Sequence, residues 1–107
     1  MPTLSDWNLL FIFLGGPDSD GGTKLKDAWS WMQNPGTNST GFTALPAGFR
    51  DGNSGLCTAK GTYTYWWSST SRDDTDAVSY EVSDFSPGLM EGSNYKKTGC
   101  SVRCVKD

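Results

Sequence analysis

Leu4, Trp7, Leu10, Phe11 and Leu14 recur at intervals of three and four, the spacing that gathers side chains on one face of an α-helix. Thr3 precedes them and Asp6 follows three positions later, so hydroxyl and carboxylate can each accept from an orphan N–H of the first turn. Gly15-Gly16-Pro17 then ends the segment. These signals predict one short amphipathic helix near the N-terminus. From 18 to 40 the period is lost. Gly, Asp, Asn and Ser dominate, interrupted by Thr23-Lys24-Leu25-Lys26 and by Trp29 and Trp31. The expectation there is long ordered loops pinned by buried indoles.

The second half reads as strands. Thr43-Ala44-Leu45-Pro46 suits an extended segment, and residues 63–69 are rich in β-formers. Residues 77–82 alternate as a half-buried strand, Ser86-Pro87-Gly88 suggests a turn, and Leu89-Met90-Glu91 starts a returning strand. Residues 100–105 are expected to close the sheet, with Val102 and Cys104 on one face and Ser101 and Arg103 on the other. One helix on a twisted antiparallel sheet is an α+β arrangement.

Composition narrows the function classes. The chain has 107 residues, room for a single domain, and carries 9 basic against 12 acidic side chains. That balance lacks the clustered Lys and Arg that displace counterions from phosphate, so no nucleic-acid surface is expected. Residues 9–14 form the longest apolar run, far short of the ~20 residues of a bilayer span, and no membrane insertion is expected. Histidine is absent, which removes Ser-His-Asp hydrolysis, Cys-His nucleophiles and His-ligated zinc together. The 5 Trp, 4 Tyr and 13 Gly suit a loop-rich contact surface with rigid aromatic anchors.

Several segments resemble one family when taken in order: Pro2-Thr3 with the Trp7 helix and Leu14-Gly15-Gly16, then Gly22-Thr23-Lys24-Leu25-Lys26 and its following Trp. The most specific are Gly41-Phe42-Thr43-Ala44-Leu45-Pro46-Ala47-Gly48-Phe49-Arg50-Asp51-Gly52, Tyr65-Trp66-Trp67-Ser68-Ser69-Thr70, and the closing Ser101-Val102-Arg103-Cys104-Val105-Lys106-Asp107. The chain resembles the Fibrobacter succinogenes major paralogous domain, a bacterial family of secreted and surface proteins. The resemblance implies a C-type-lectin-like fold and an extracellular or cell-surface location, with any export signal outside this chain. Two departures stand out. The family's leading strand and its cysteine are missing before Met1, and Cys100 replaces a more usual aromatic. The chain is therefore expected to be a C-terminal portion of a longer domain. The closing strand, 101–106, would then have a free edge and favour a homo-oligomer.

The candidate sites follow. A non-catalytic binding or adhesion domain is expected, with loops on a stable scaffold meeting a protein or glycan ligand; a structural role in a larger surface protein is the alternative. The ligand-binding candidates are Asp51, Asn53, Tyr63, Asp73, Asp74, Asp76, Tyr80 and Tyr95, the tyrosines acting as anchors. Asp73, Asp74 and Asp76 offer oxygen ligands to Ca²⁺, but a solvated loop is the better reading, and no cofactor is expected. Of Trp66 and Trp67, alternation turns one inward and one outward, and both are read as structural. Cys100 and Cys104 lie too far apart along a strand for a mutual disulfide. A Cys57–Cys100 bridge is preferred, with Cys57–Cys104 and three reduced thiols left open. Glu81 and Asp84 are an acid–base pair only if they face each other across a cleft, which their spacing does not require.

Overall fold

A computed structural model of the protein describes residues 1–17 and 19–106. Asp18, the start of the loop-rich stretch, and Asp107, the end of the closing motif, lie outside the described residues. Helix α1 spans Leu4–Phe13 and is closed at its N-terminus by the expected capping box between Thr3 and Asp6. Its inward face carries Trp7, which stacks on Tyr80 at 5.0 Å and leans on Trp66 at 5.8 Å. A second helix, α2, spans Gly21–Leu25, where continuous loop was expected. No apolar period announces it. Gly22 sets its backbone against the carbonyls of Pro87 and Gly88, a closeness no Cβ would permit, and Leu25 is fully buried beneath.

Strands β1 (Phe49–Arg50) and β2 (Cys57–Thr58) form a small antiparallel pair. Strands β3 (Tyr63–Ser71), β4 (Asp76–Ser83) and β5 (Ser86–Tyr95) form an antiparallel sheet in that order. Thr64, Trp66 and Ser68 are buried while Tyr63, Tyr65 and Trp67 are half-buried on the other face, the two-residue period of a pleated strand. Trp66 therefore points inward and Trp67 outward, which decides between the two orientations that alternation left open. The core gathers Trp7, Leu14, Leu25, Trp31, Ala44, Trp66, Val78, Tyr80, Val82 and Leu89 between α1 and the inner face of the sheet. The result is a small α+β domain of helix on antiparallel sheet.

Three expectations need correction. Ser86-Pro87-Gly88 is the start of β5, because Ser83 pairs with Ser86 and leaves Asp84-Phe85 as the turn. Proline is tolerated there because β5 lies at the edge of the sheet. Trp31 is buried and donates its indole N–H to the Ala44 carbonyl at 3.0 Å, but Trp29 is 90% exposed. The chain bends between them, where the Asp27 carboxylate accepts from the N–H groups of Trp29 at 3.0 Å and Ser30 at 2.7 Å, so the two indoles leave in different directions. Finally, residues 100–105 form no strand. Ser101 alone bridges to Trp66 beside β3, and residues 102–106 run on exposed without sheet pairing. The free edge expected there to drive oligomerisation is not formed.

A buried polar network ties the loops to the sheet. Lys26 donates to the carbonyls of Asn34 at 2.9 Å and Ser83 at 3.0 Å. Asp84 accepts from the backbone N–H of Gln33 at 2.8 Å and of Asn34 at 2.6 Å. Both side chains are almost fully buried. Burial lowers the Lys26 pKa, and the Asp84 charge opposes that shift.

Candidate functional site

The expected loop residues divide into three groups. Asp51 and Asn53 sit in the β1–β2 turn, where the Asp51 carboxylate accepts from the N–H groups of Asn53 at 2.8 Å and Ser54 at 2.7 Å. Those bonds hold its pKa below the usual carboxylate value. Asp73, Asp74 and Asp76 lie at the β3–β4 turn, with Asp73 accepting from the Thr75 and Asp76 N–H groups at 2.8 Å each. The same bonds hold the Asp73 pKa down. Tyr95 pairs with Asp76, Lys96 donates to the Thr75 carbonyl, and Gly52 packs on Lys97. Asp51, Asn53, the Asp73–Asp76 turn and Tyr95 therefore converge around the 95–98 segment. Two of these carboxylates are consumed by their own turns. Among the described residues, no group of three or more His, Cys, Asp or Glu comes together to hold a metal.

Tyr80 is not a surface anchor. It is fully buried, stacked on Trp7, with its hydroxyl donating to Asn8 Oδ1 at 2.9 Å. The alternation of β4 decides this, since Val78, Tyr80 and Val82 share the inner face.

Tyr63 lies elsewhere, on the outer face of the sheet, and it is not alone. Phe85, Tyr63, Tyr65 and Phe49 form a continuous row with ring centroids 5.6, 6.0 and 5.2 Å apart in that order. Tyr63 and Tyr65 are parallel within 3°. The row arises because period-two alternation puts both tyrosines on one face of β3. The Asp84-Phe85 turn and the Gly48–Thr64 bridge then bring a phenylalanine to each end. Phe85 is exposed; the other three rings are half-covered.

Glu81 stands directly across from Tyr65 in the β3–β4 register, at the middle of this row. Burial raises the Glu81 pKa, an effect partly offset by hydrogen bonding from Tyr65. Burial, and then the Glu81 charge, push the Tyr65 phenol up to about 12. The face is thus apolar rings around one carboxylate and two phenols, of which that of Tyr65 stays a protonated donor at neutral pH. Asp84 points away into the network with Gln33 and Asn34, so Glu81 and Asp84 do not form an acid–base pair.

The cysteines are free thiols, and the preferred Cys57–Cys100 bridge is corrected accordingly. Arg50 pairs with Cys57 on one side and with Gly99 on the other. Two strand spacings, about 9.5 Å, therefore separate Cys57 from the Gly99 position, beyond the ~6.8 Å reach of a disulfide. Burial pushes the Cys100 thiol up to about 11, leaving it un-ionised at neutral pH and a poor nucleophile.

The row, Tyr65, Glu81, Phe85 and Phe49 included, was missed in the sequence apart from Tyr63. The readable signal was Tyr63-Thr64-Tyr65, two aromatics at strand period; the two phenylalanines come from distant segments and have no local signal.

Fold and site together define a small α+β domain that presents a row of aromatic rings on one sheet face. The sequence model of the Fibrobacter succinogenes major domain matches residues 1–106, and the chain belongs to that family. No curated protein and no solved structure matches it. No helix among the described residues is long and apolar enough to cross a membrane.

Proposed function

We propose that this is a non-catalytic binding domain of the bacterial cell exterior, on a C-type-lectin-like scaffold, which holds an extended glycan along the Phe85–Tyr63–Tyr65–Phe49 row. The observation that carries the reading is the row itself, four successively neighbouring rings on the outer face of the sheet, Phe85 exposed and the other three half-covered. Aromatic faces carry partial negative charge and pack well against the C–H faces of sugar rings. Glu81 and the two phenols supply acceptors and donors for hydroxyl groups beside them. A rigid sheet holds the rings, so little conformational entropy is lost on binding. The chemistry opposes an enzyme reading: histidine is absent, Cys100 is un-ionised and the Asp84 carboxylate is turned away from Glu81 onto Gln33 and Asn34.

Affinity electrophoresis through gels carrying soluble polysaccharides tests this. At least one neutral polysaccharide should retard the domain, and Tyr63→Ala should move freely with an unchanged melting temperature. Retardation by none, or equal retardation of Tyr63→Ala, contradicts the reading.

One observation favours assembly as a second role. The outer face of α1 leaves Leu9 and Ile12 each 69% and Phe13 78% exposed, and the helix carries no charge but Asp6. Surface helices ordinarily present charge to water, and a contiguous apolar stripe marks a contact surface. Phe13→Glu should abolish any concentration-dependent association seen by sedimentation; a wild type that stays monomeric at millimolar concentration excludes this role.

A further inference from the structure

A cleft of about 550 Å³ opens on the opposite, helix-facing side of the sheet, between the C-terminal half of α1, the Gly16-Pro17 turn and the first half of β5. Its volume falls within the roughly 300–1,000 Å³ of small-ligand sites. Phe11, Pro87 and Leu89 give it apolar walls, and Asn8 and Glu91 bring two polar groups to them. The Tyr80 hydroxyl donates to Asn8 Oδ1 at 2.9 Å, which occupies the amide oxygen and leaves the Asn8 N–H groups as donors. Glu91 pairs with Tyr80 across β4 and β5, so its side chain shares this face. Its cationic neighbour, Arg72, stands 3.9 Å away with both side chains nearly half exposed, too long for a hydrogen bond. Burial, and then the Glu91 charge, push the Tyr80 phenol up to about 12, so behind the wall it stays a neutral donor that fixes Asn8.

We infer that this cleft binds an organic ammonium ion with an aromatic or branched apolar body, the cation meeting Glu91 and the body covering Phe11 and Leu89. The charge of the site selects the ligand. Glu91 is matched only by a half-exposed ion pair with Arg72 at 3.9 Å, so its carboxylate still repels anions in a chain of net charge −3 and gives a neutral ligand no ionic partner. The apolar walls reject small hydrated cations, which lose their water shell and gain one carboxylate. The site is separate from the aromatic row, and its test does not depend on that reading.

Phenethylammonium, 2-phenylethanol and 3-phenylpropionate share one body and differ in charge. Titrating each into ¹⁵N-labelled domain should shift the amides of Phe11, Gly16, Gly88 and Met90, with phenethylammonium binding about 1.4- to five-fold more tightly than the alcohol, the range of one partly exposed ion pair. The propionate should bind weakest. Glu91→Gln, at an exposed position that leaves the core untouched, should erase the difference between ammonium and alcohol. Tighter binding of Phe-Gly-Gly than of the free amine assigns the ammonium to a peptide N-terminus; the reverse order assigns it to a free amine. Absence of shifts up to tens of millimolar, shifts confined to other surfaces, or equal binding of ammonium and alcohol would overturn the inference.

Discussion

Replacing Asp84 with alanine removes the acceptor that anchors the 26–36 loop to the end of β4. Two backbone N–H groups, of Gln33 and Asn34, lose a carboxylate at 2.8 and 2.6 Å, and the buried Lys26 ammonium loses its counter-charge. Hydrogen bonds to a charged group contribute about 1.5–3 kcal/mol each, but their losses overlap when one side chain makes both. Leaving a buried charge uncompensated costs about 3–5 kcal/mol. We take that range for the whole change, because the same carboxylate serves both functions. At about 4 °C per kcal/mol for a domain of this size, the melting temperature should fall by about 12–20 °C. Thermal unfolding followed by circular dichroism measures it. Asp84→Asn keeps an acceptor in place and should lose less. Adding Lys26→Met to Asp84→Ala should cost less than the sum of the two single changes, since the uncompensated charge is gone. A melting temperature for Asp84→Ala within 3 °C of wild type, about 1 kcal/mol or less, would refute the reasoning.

The remaining stability predictions concern Glu81 and Trp7. Glu81 has a pKa raised by burial in the folded state, so the native protein binds its proton more tightly than the unfolded chain. Its contribution is most favourable at low pH and is lost as pH rises from the ordinary value of 4.5 through the raised one. Glu81→Gln should therefore gain stability relative to wild type as urea titrations move from pH 4 to pH 8; a constant difference across those titrations would contradict this. Trp7→Ala should cost about 3–5 kcal/mol, because the indole is buried against Tyr80 and Trp66. Trp7→Phe should cost clearly less, since the Trp7 indole N–H is buried without a partner and phenylalanine removes that penalty. Equal losses for the two variants in denaturant titrations would show that the ring contacts are not what holds α1.

Local chemistry made part of this fold legible. The capping box, the Trp7 stripe and the Gly-Gly-Pro stop placed α1; β-forming residues placed β3 and alternation placed β4, with one of Trp66 and Trp67 inward. What failed depended on distant segments. Helix α2 is one turn stabilised by the fit of Gly22 against β5, which no local period records. The closing segment has strand-like composition, but only Ser101 finds a partner on β3. Tyr80 was placed on the surface although its alternation with Val78 and Val82 already pointed inward. Trp29 and Trp31 are two apart and would share a face in extended chain; the turn held by Asp27 separates them, and composition alone did not show it. The aromatic row needs Phe85 and Phe49 delivered from a turn and a bridge, so only its two tyrosines were visible in the sequence as neighbours.

The central claim is that ligand is held on the sheet face and not on the loop ends. A short oligosaccharide cut from a retarding polysaccharide, titrated into ¹⁵N-labelled domain, tests it directly. The account predicts the largest shifts at Tyr63, Tyr65, Glu81 and Phe85, lost in Tyr63→Ala. Shifts concentrated at Asp51, Asn53, the Asp73–Asp76 turn and Tyr95, with the aromatic row unmoved, would contradict it.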